Sequence, residues 1–163
     1  MSKRVTALMS ALNVEQASDK ALPSPKERGL SVLKFKKTES LRVSHRQGLE
    51  NSENDTEDEL NLSNDKGEPK AFGKIKYGKT AKAAQLALFE ELAMNSLPLN
   101  PLLERYEVDK KGPGDLCISD KLKNKVHFTR GNVAVSVRSE DAEVNAKELA
   151  RQMDQILVEG NEK

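Results

Sequence analysis

The pattern of apolar and polar residues changes near residue 70. Downstream of it, short segments with an apolar residue at every second position accompany two longer segments in which apolar residues recur every three or four positions. The first pattern is typical of half-buried strands and the second of amphipathic helices. The pattern predicts helices over 81–95 and 140–159, and strands within 72–77, 103–108, 116–119, 126–129 and 133–137.

The predicted order of elements is β-α-β-β-β-β-α. Short consecutive strands favour antiparallel pairing, and each helix has one apolar face to bury. We therefore predict an α+β fold, in which two helices cover one face of a small antiparallel sheet and a disordered N-terminal arm precedes the sheet.

Local signals predict where the helices and the last hairpin begin and end. Thr80 and Ser139 are each placed to cap the N-terminus of a helix, because a hydroxyl can accept a hydrogen bond from an amide of the first turn. Gly160 is expected to end the second helix. Gly131 and Asn132 tolerate positive φ, so they predict a two-residue turn between the last two strands.

The segment before residue 70 is segregated by charge. Residues 1–46 carry a net charge of +6 and residues 47–69 a net charge of −7. The acidic block over 50–59 has no apolar residue, so it should not bury enough surface to offset the entropy of ordering. We predict a largely disordered arm over 1–69 and a folded domain over 70–160.

One amphipathic stripe lies at the N-terminus, in a predicted short helix over residues 4–16. Four apolar residues share helical spacing along it: Val5, Leu8, Met9 and Leu12. A three-turn helix is marginal alone, so the stripe is expected to dock on a protein partner or on the chain's own core, with a frayed helix as the alternative. The stripe also faintly resembles a secretory leader, but polar residues interrupt it and no clear cleavage site follows. We therefore expect a cytoplasmic protein, with secretion as the alternative.

A basic segment over 26–46 suggests a second kind of contact. Its cations lie around Phe35 and include the four residues that we single out as a nucleic-acid site: Lys34, Lys36, Lys37 and Arg42. Such an arm can neutralise phosphates, although a single aromatic residue does not form a stacking platform. The alternative is a solvated, flexible arm.

Few residues have the pattern of a catalytic or cofactor site. The single cysteine, Cys117, excludes an internal disulfide, and we expect no metal and no cofactor. If the hairpin turn is centred near Leu122, Cys117 and His127 are cross-strand neighbours, the minimum nucleophile and base. We expect instead that they are a small residue and a half-exposed histidine on the outer face. Residues 73–80 match the spacing of a phosphate-binding loop, but the first glycine falls inside a predicted strand.

These observations favour a non-catalytic binding or adaptor protein that acts through protein–protein contacts. The alternative is a nucleic-acid-associated accessory protein that uses the basic arm, and a Cys/His-dependent hydrolase is a distant third. The partner is expected to be a protein, and membrane insertion is not expected because no apolar run approaches the roughly 20 residues of a spanning helix.

Overall fold

The computed structural model describes residues 42–47, 56–94, 106–120 and 124–162, which form seven strands and two helices. The strands are β1 (Arg42–Gln47), β2 (Thr56–Ser63), β3 (Pro69–Tyr77), β4 (Tyr106–Val108), β5 (Leu116–Asp120), β6 (Lys125–Arg130) and β7 (Val133–Ser139). The helices are α1 (Ala81–Met94), between β3 and β4, and α2 (Ala146–Glu162), after β7. In this part of the chain, no helix combines the length and the apolar character of a membrane span.

The strands form one antiparallel sheet in the order β1-β2-β3-β7-β6-β5-β4. The sheet consists of two meanders, β1–β2–β3 and β4–β5–β6–β7, each made of strands that are consecutive in sequence. They join along a single pairing of β3 with β7, which we call the central seam. In the seam Ile75 lies opposite Val135.

One face of the sheet is covered by α2. Residues that are paired in register across four neighbouring strands place their side chains on this face. They are Ile75, Val135, Phe128 and Cys117. They form the larger core cluster together with residues of α2 such as Leu149.

The other face is covered by α1. A second buried cluster there joins Leu88 and Leu92 of α1 to Tyr106 and Ile118 of the sheet. These two clusters use alternate residues of the same strands: in β5, for example, Cys117 belongs to the first cluster and Ile118 to the second.

The α+β class and the order β-α-β-β-β-β-α from residue 69 onward are confirmed. The placement of both helices on one face is wrong, because α1 and α2 lie on opposite faces. The four residues 126–129 of β6 are all buried, because both faces of the sheet are covered. The alternation of apolar residues in the sequence therefore did not indicate which face each helix covers.

The predicted domain boundary near residue 70 is also wrong for residues 56–69. Leu60 and Leu62 of β2 are fully buried in the larger core cluster. Glu57 and Glu59 lie on the face of β2 opposite these leucines and are in register with Lys76 and Lys74 of β3. The Glu57 carboxylate lies 3.2 Å from the Lys74 ammonium and 3.8 Å from that of Lys76. Acidic β2 therefore joins the sheet because β3 supplies complementary charge. The predicted helix over 4–16 lies outside the described residues.

The local signals are partly confirmed. The Ala83 amide donates to Thr80 Oγ1 at 3.1 Å, as an N-cap requires, and Gly131 has a φ of 55° in the predicted two-residue turn. The N-terminal cap of α2 is Asn145 rather than Ser139. The Asn145 Oδ1 atom accepts hydrogen bonds from the backbone amides of Lys147 and Glu148. Ser139 instead ends β7, and α2 continues past Gly160.

A partly buried ion pair between Arg130 and Asp154 ties α2 to the hairpin of β6 and β7. Asp154 is 8% exposed and accepts from Arg130 through Nε at 2.7 Å and Nη2 at 2.6 Å. The amide of Gly114 donates to the same carboxylate at 2.9 Å. With these three donors, the carboxylate is compensated although it is buried.

Candidate functional site

The structure does not bring Cys117 and His127 together. Cys117 pairs with Phe128, and His127 pairs with Ile118, so the register differs by one residue from the predicted one. The two side chains therefore lie on opposite faces of the sheet. Each is 3% exposed, so the expectation of outer-face positions is wrong.

The environment of Cys117 suppresses its reactivity. Burial, followed by the negative charge of Asp109, raises the pKa of the Cys117 thiol to about 12. Because the thiolate is the nucleophilic form, this thiol is inert at neutral pH.

His127 lies on the face covered by α1. Its Nδ1 is 2.8 Å from Ser136 Oγ, in a hydrogen bond whose proton is carried by either the ring or the hydroxyl. The Tyr106 ring meets the imidazole edge to face, with 5.8 Å between centroids. Burial lowers the pKa of His127 to about 4, so the ring is neutral at pH 7 and a weak general base.

Two cations face each other beside this histidine. Phe72, Arg138 and Lys125 are in register across β3, β7 and β6, so they form one row on the α1 face. The Arg138 guanidinium lies 5.5 Å from the centroid of the Phe72 ring. Like charges directly opposite each other in an antiparallel pair repel. Acidic groups of the fold offset this repulsion in part, since the Glu140 carboxylate lies 3.2 Å from the Arg138 guanidinium.

The next row contains Lys74, Ser136 and His127, again from β3, β7 and β6. The Lys74 ammonium lies 3.2 Å from the Glu57 carboxylate and 3.6 Å from that of Glu91 on α1. Lys74 is therefore balanced by two acidic groups within the fold.

The two rows enclose a partly open cavity of about 50 Å³, which we call the basic cleft. It is lined by Phe72, Lys74, Glu91, Lys125, His127, Ser136, Val137 and Arg138. Lys125 and Arg138 also line a larger, open depression of about 450 Å³ that includes Asn124 and Asp141. These two cations thus stand where the enclosed and the open spaces meet.

The basic cleft offers hydrogen-bond donors to an anion. Arg138, Lys125 and Lys74 supply charged donors, and Ser136 supplies a hydroxyl. Three neighbouring strands carry these four groups on one face of the sheet. A metal site has no comparable basis here: the described residues contain no group of three His, Cys, Asp or Glu side chains that could hold an ion.

Sequence reasoning missed this cleft. The available signal is the alternation of Val133, Val135 and Val137, which implies that Ser136 and Arg138 share the opposite face of β7. What it did not supply was the pairing of β3 with β7, which joins residues some 60 positions apart.

The sites predicted from the sequence lie almost wholly outside the described residues. This applies to Val5, Leu8, Met9 and Leu12 and to Lys34, Lys36 and Lys37. Arg42 is the first residue of β1. The described part of the chain therefore leaves both arm hypotheses untested. No protein-family model, curated protein or solved structure matches this chain.

Proposed function

We propose that this chain is a non-catalytic binding module that acts through protein–protein contacts and holds an anionic group of its partner in the basic cleft. The observation that carries the proposal is the direct opposition of Lys125 and Arg138 across β6 and β7. An anionic group that lies between two facing cations interacts favourably with both of them.

The chemistry of the cleft favours binding over catalysis. A histidine with a pKa of about 4 is poorly matched to proton transfer at neutral pH. The donors that surround it, by contrast, are suited to recognising charge, because a charge-assisted hydrogen bond is stronger than a neutral one.

The amphipathic stripe over 4–16 is the second contact that we propose with the partner. Its apolar residues would complement a charged contact at the cleft with an apolar one. We further propose that the protein acts in the cytoplasm, with secretion as the alternative.

Binding of acidic peptides tests this function. The probe is a labelled peptide rich in Glu and Asp, and its control has the same sequence with Gln and Asn at those positions. We expect the full chain to bind the acidic peptide more tightly by fluorescence anisotropy, with an affinity that falls as salt rises.

A matched pair of variants locates the contact. Lys125→Gln/Arg138→Gln removes the facing cations, and Lys82→Gln/Lys110→Gln removes two charges at exposed positions that do not line the cleft. We expect the first variant to weaken binding of the acidic peptide more than the second, which measures the general effect of removing two positive charges. Equal weakening by both variants would contradict the proposal.

The nucleic-acid alternative depends on the basic arm and makes a different prediction. Under it, a chain lacking residues 1–41 would lose affinity for DNA, and the salt dependence of DNA binding would fall. The substitutions in the cleft would have little effect on that binding.

A further inference from the structure

We propose that α1 is a contact between two copies of this chain, which pack antiparallel about a two-fold axis beside Leu86. The contact uses the side of α1 that faces away from the sheet, which we call the outer face. The outer face consists of Lys82, Ala83, Leu86, Phe89 and Glu90, which are neighbours at helical spacing. The inference goes beyond the proposed function, because none of these residues lines the basic cleft.

The outer face is apolar at its centre although it is open to solvent. Leu86 is 58% exposed, whereas Leu88 and Leu92 on the opposite side of α1 are fully buried. Ala83 and Phe89, one turn before and after Leu86, are half-buried. Ten of the 14 residues of α1 are apolar. A helix that is apolar on all sides is typical of one that is covered on all sides.

The sequence of the outer face is complementary to itself in the antiparallel direction. A two-fold axis beside Leu86 brings the two Leu86 side chains together and sets residues that are equally far before and after Leu86 opposite each other. Lys82 of one copy then faces Glu90 of the other, four residues from the axis on each side. Ala83 of one copy faces Phe89 of the other, so a small side chain meets a large one.

Lys82 and Glu90 are available for this pairing. Both are exposed, and neither has an ion-pair partner among the described residues. Four residues of helix span about 6 Å, so the two groups lie at the same height on helices packed about 8–10 Å apart. Lys82 also lies in the first turn of α1, which has no acidic residue. The helix dipole favours an acidic group there, and Glu90 of the second copy supplies one.

The contact is small, so the dimer should be reversible. A helix of 14 residues is about 21 Å long and about 10 Å across, and one side of it offers much less than the roughly 800 Å² per partner of a stable interface. The chain should therefore be monomeric at the low micromolar concentrations of a thermal melt, and it should dimerise as the concentration rises.

Sedimentation velocity of the full chain tests the contact. We expect the mean sedimentation coefficient to rise from that of a monomer toward that of a dimer between low micromolar and near-millimolar concentration. Leu86→Glu places two carboxylates beside the axis and should weaken dimerisation by about tenfold or more. The control Gln155→Glu adds the same charge at an exposed position of α2 and should dimerise as the unaltered chain does. Melts at low concentration establish that each variant is folded.

Charge reversal tests the antiparallel arrangement. Lys82→Glu or Glu90→Lys alone sets like charges opposite each other in both halves of the contact, and each should weaken dimerisation by about a few-fold. The double variant Lys82→Glu/Glu90→Lys restores both ion pairs and should dimerise about as well as the unaltered chain. A mixture of the two single variants should associate better than either variant alone, because each supplies the charge that the other lacks.

The remaining outcomes overturn the inference. A chain that stays monomeric to near-millimolar concentration has no such contact. Dimerisation that survives Leu86→Glu but is lost in Leu8→Glu/Leu12→Glu would assign self-association to the amphipathic stripe. Loss in both variants would show that the stripe docks on the outer face in place of a second α1. Failure of the double charge reversal to recover dimerisation would contradict the antiparallel pairing.

Discussion

Replacing Leu60 with alanine tests whether β2 belongs to the folded core. The Leu60 side chain is fully buried, and it lies opposite Gly73, a residue with no side chain to fill a vacated space. A Cβ built on Gly73 would lie 3.5 Å from Leu60 Cβ and 3.6 Å from the terminal methyl of Met153, so leucine, glycine and methionine share one packed region. Alanine at position 60 would leave a cavity there.

The expected loss follows from complete burial. Leucine-to-alanine changes at buried sites cost about 2–5 kcal/mol, the sum of the lost transfer free energy and the cavity. For a domain of this size, each kcal/mol lowers the melting temperature by about 4–8 °C. We therefore expect Leu60→Ala to lower it by at least about 8 °C.

The matched control is Leu86→Ala, the same chemical change on the exposed side of α1, where leucine is 58% exposed. This variant should melt within a few degrees of the unaltered chain, because surface substitutions usually change stability by about 0.5 kcal/mol or less. The measurements are thermal melts by circular dichroism and urea unfolding of the full chain. Equal, small shifts for the two variants would refute the assignment of residues 56–63 to the core.

Four further predictions concern single side chains. Burial lowers the pKa of His127 from 6.5 to about 4, so the imidazole takes up a proton more readily in the unfolded chain than in the folded one. The free energy of unfolding in urea should therefore fall by about 2 kcal/mol between pH 7 and pH 5, and His127→Gln should abolish this fall. The Cys117 thiol should react with a disulfide reagent at pH 8 only when denaturant unfolds the chain; fast reaction in the native state would contradict its burial. Asn145→Ala should cost about 1 kcal/mol in thermal melts through loss of the α2 cap, and no loss would show that the helix does not depend on it. Arg130→Met should cost about 1–3 kcal/mol in urea unfolding by leaving the Asp154 carboxylate without its cation, whereas a neutral result would mean that solvent compensates Asp154.

Sequence reasoning predicted elements with strong local signals. The period-two pattern of β7 and the glycine turn before it identify the last hairpin, and Thr80 identifies the start of α1. Local chemistry was sufficient there, because a cap or a two-residue turn depends on neighbours in the chain.

Long-range pairing explains most of the errors. Strand β2 looked disordered because its acidic residues find their counterions on β3, as Glu57 does on Lys74. The predicted register of β5 and β6 differs by one residue from the observed one. The residue types between Asp120 and Lys125 do not determine where the turn is centred, so the sequence alone leaves this register open. That single shift places Cys117 and its predicted partner on opposite faces.

The basic cleft lay beyond sequence reasoning for the same reason. Lys74, Lys125 and Arg138 belong to three strands and become neighbours only when β7 inserts between β3 and β6. Each of these residues, taken singly, is an ordinary polar position of a strand. Their juxtaposition depends on tertiary structure.

The central seam has a kinetic consequence. Each meander consists of hairpins whose strands are close in sequence, so each can begin to pair early, at little cost in loop closure. The seam joins Ile75 to Val135 and brings together segments some 60 residues apart, and only this pairing completes the layer against which α2 packs. Folding should therefore be limited by the docking of two preformed halves, a late and non-local event. Until that docking occurs, the β3 and β7 edges are both unpaired, and the nascent chain is most exposed to aggregation through them.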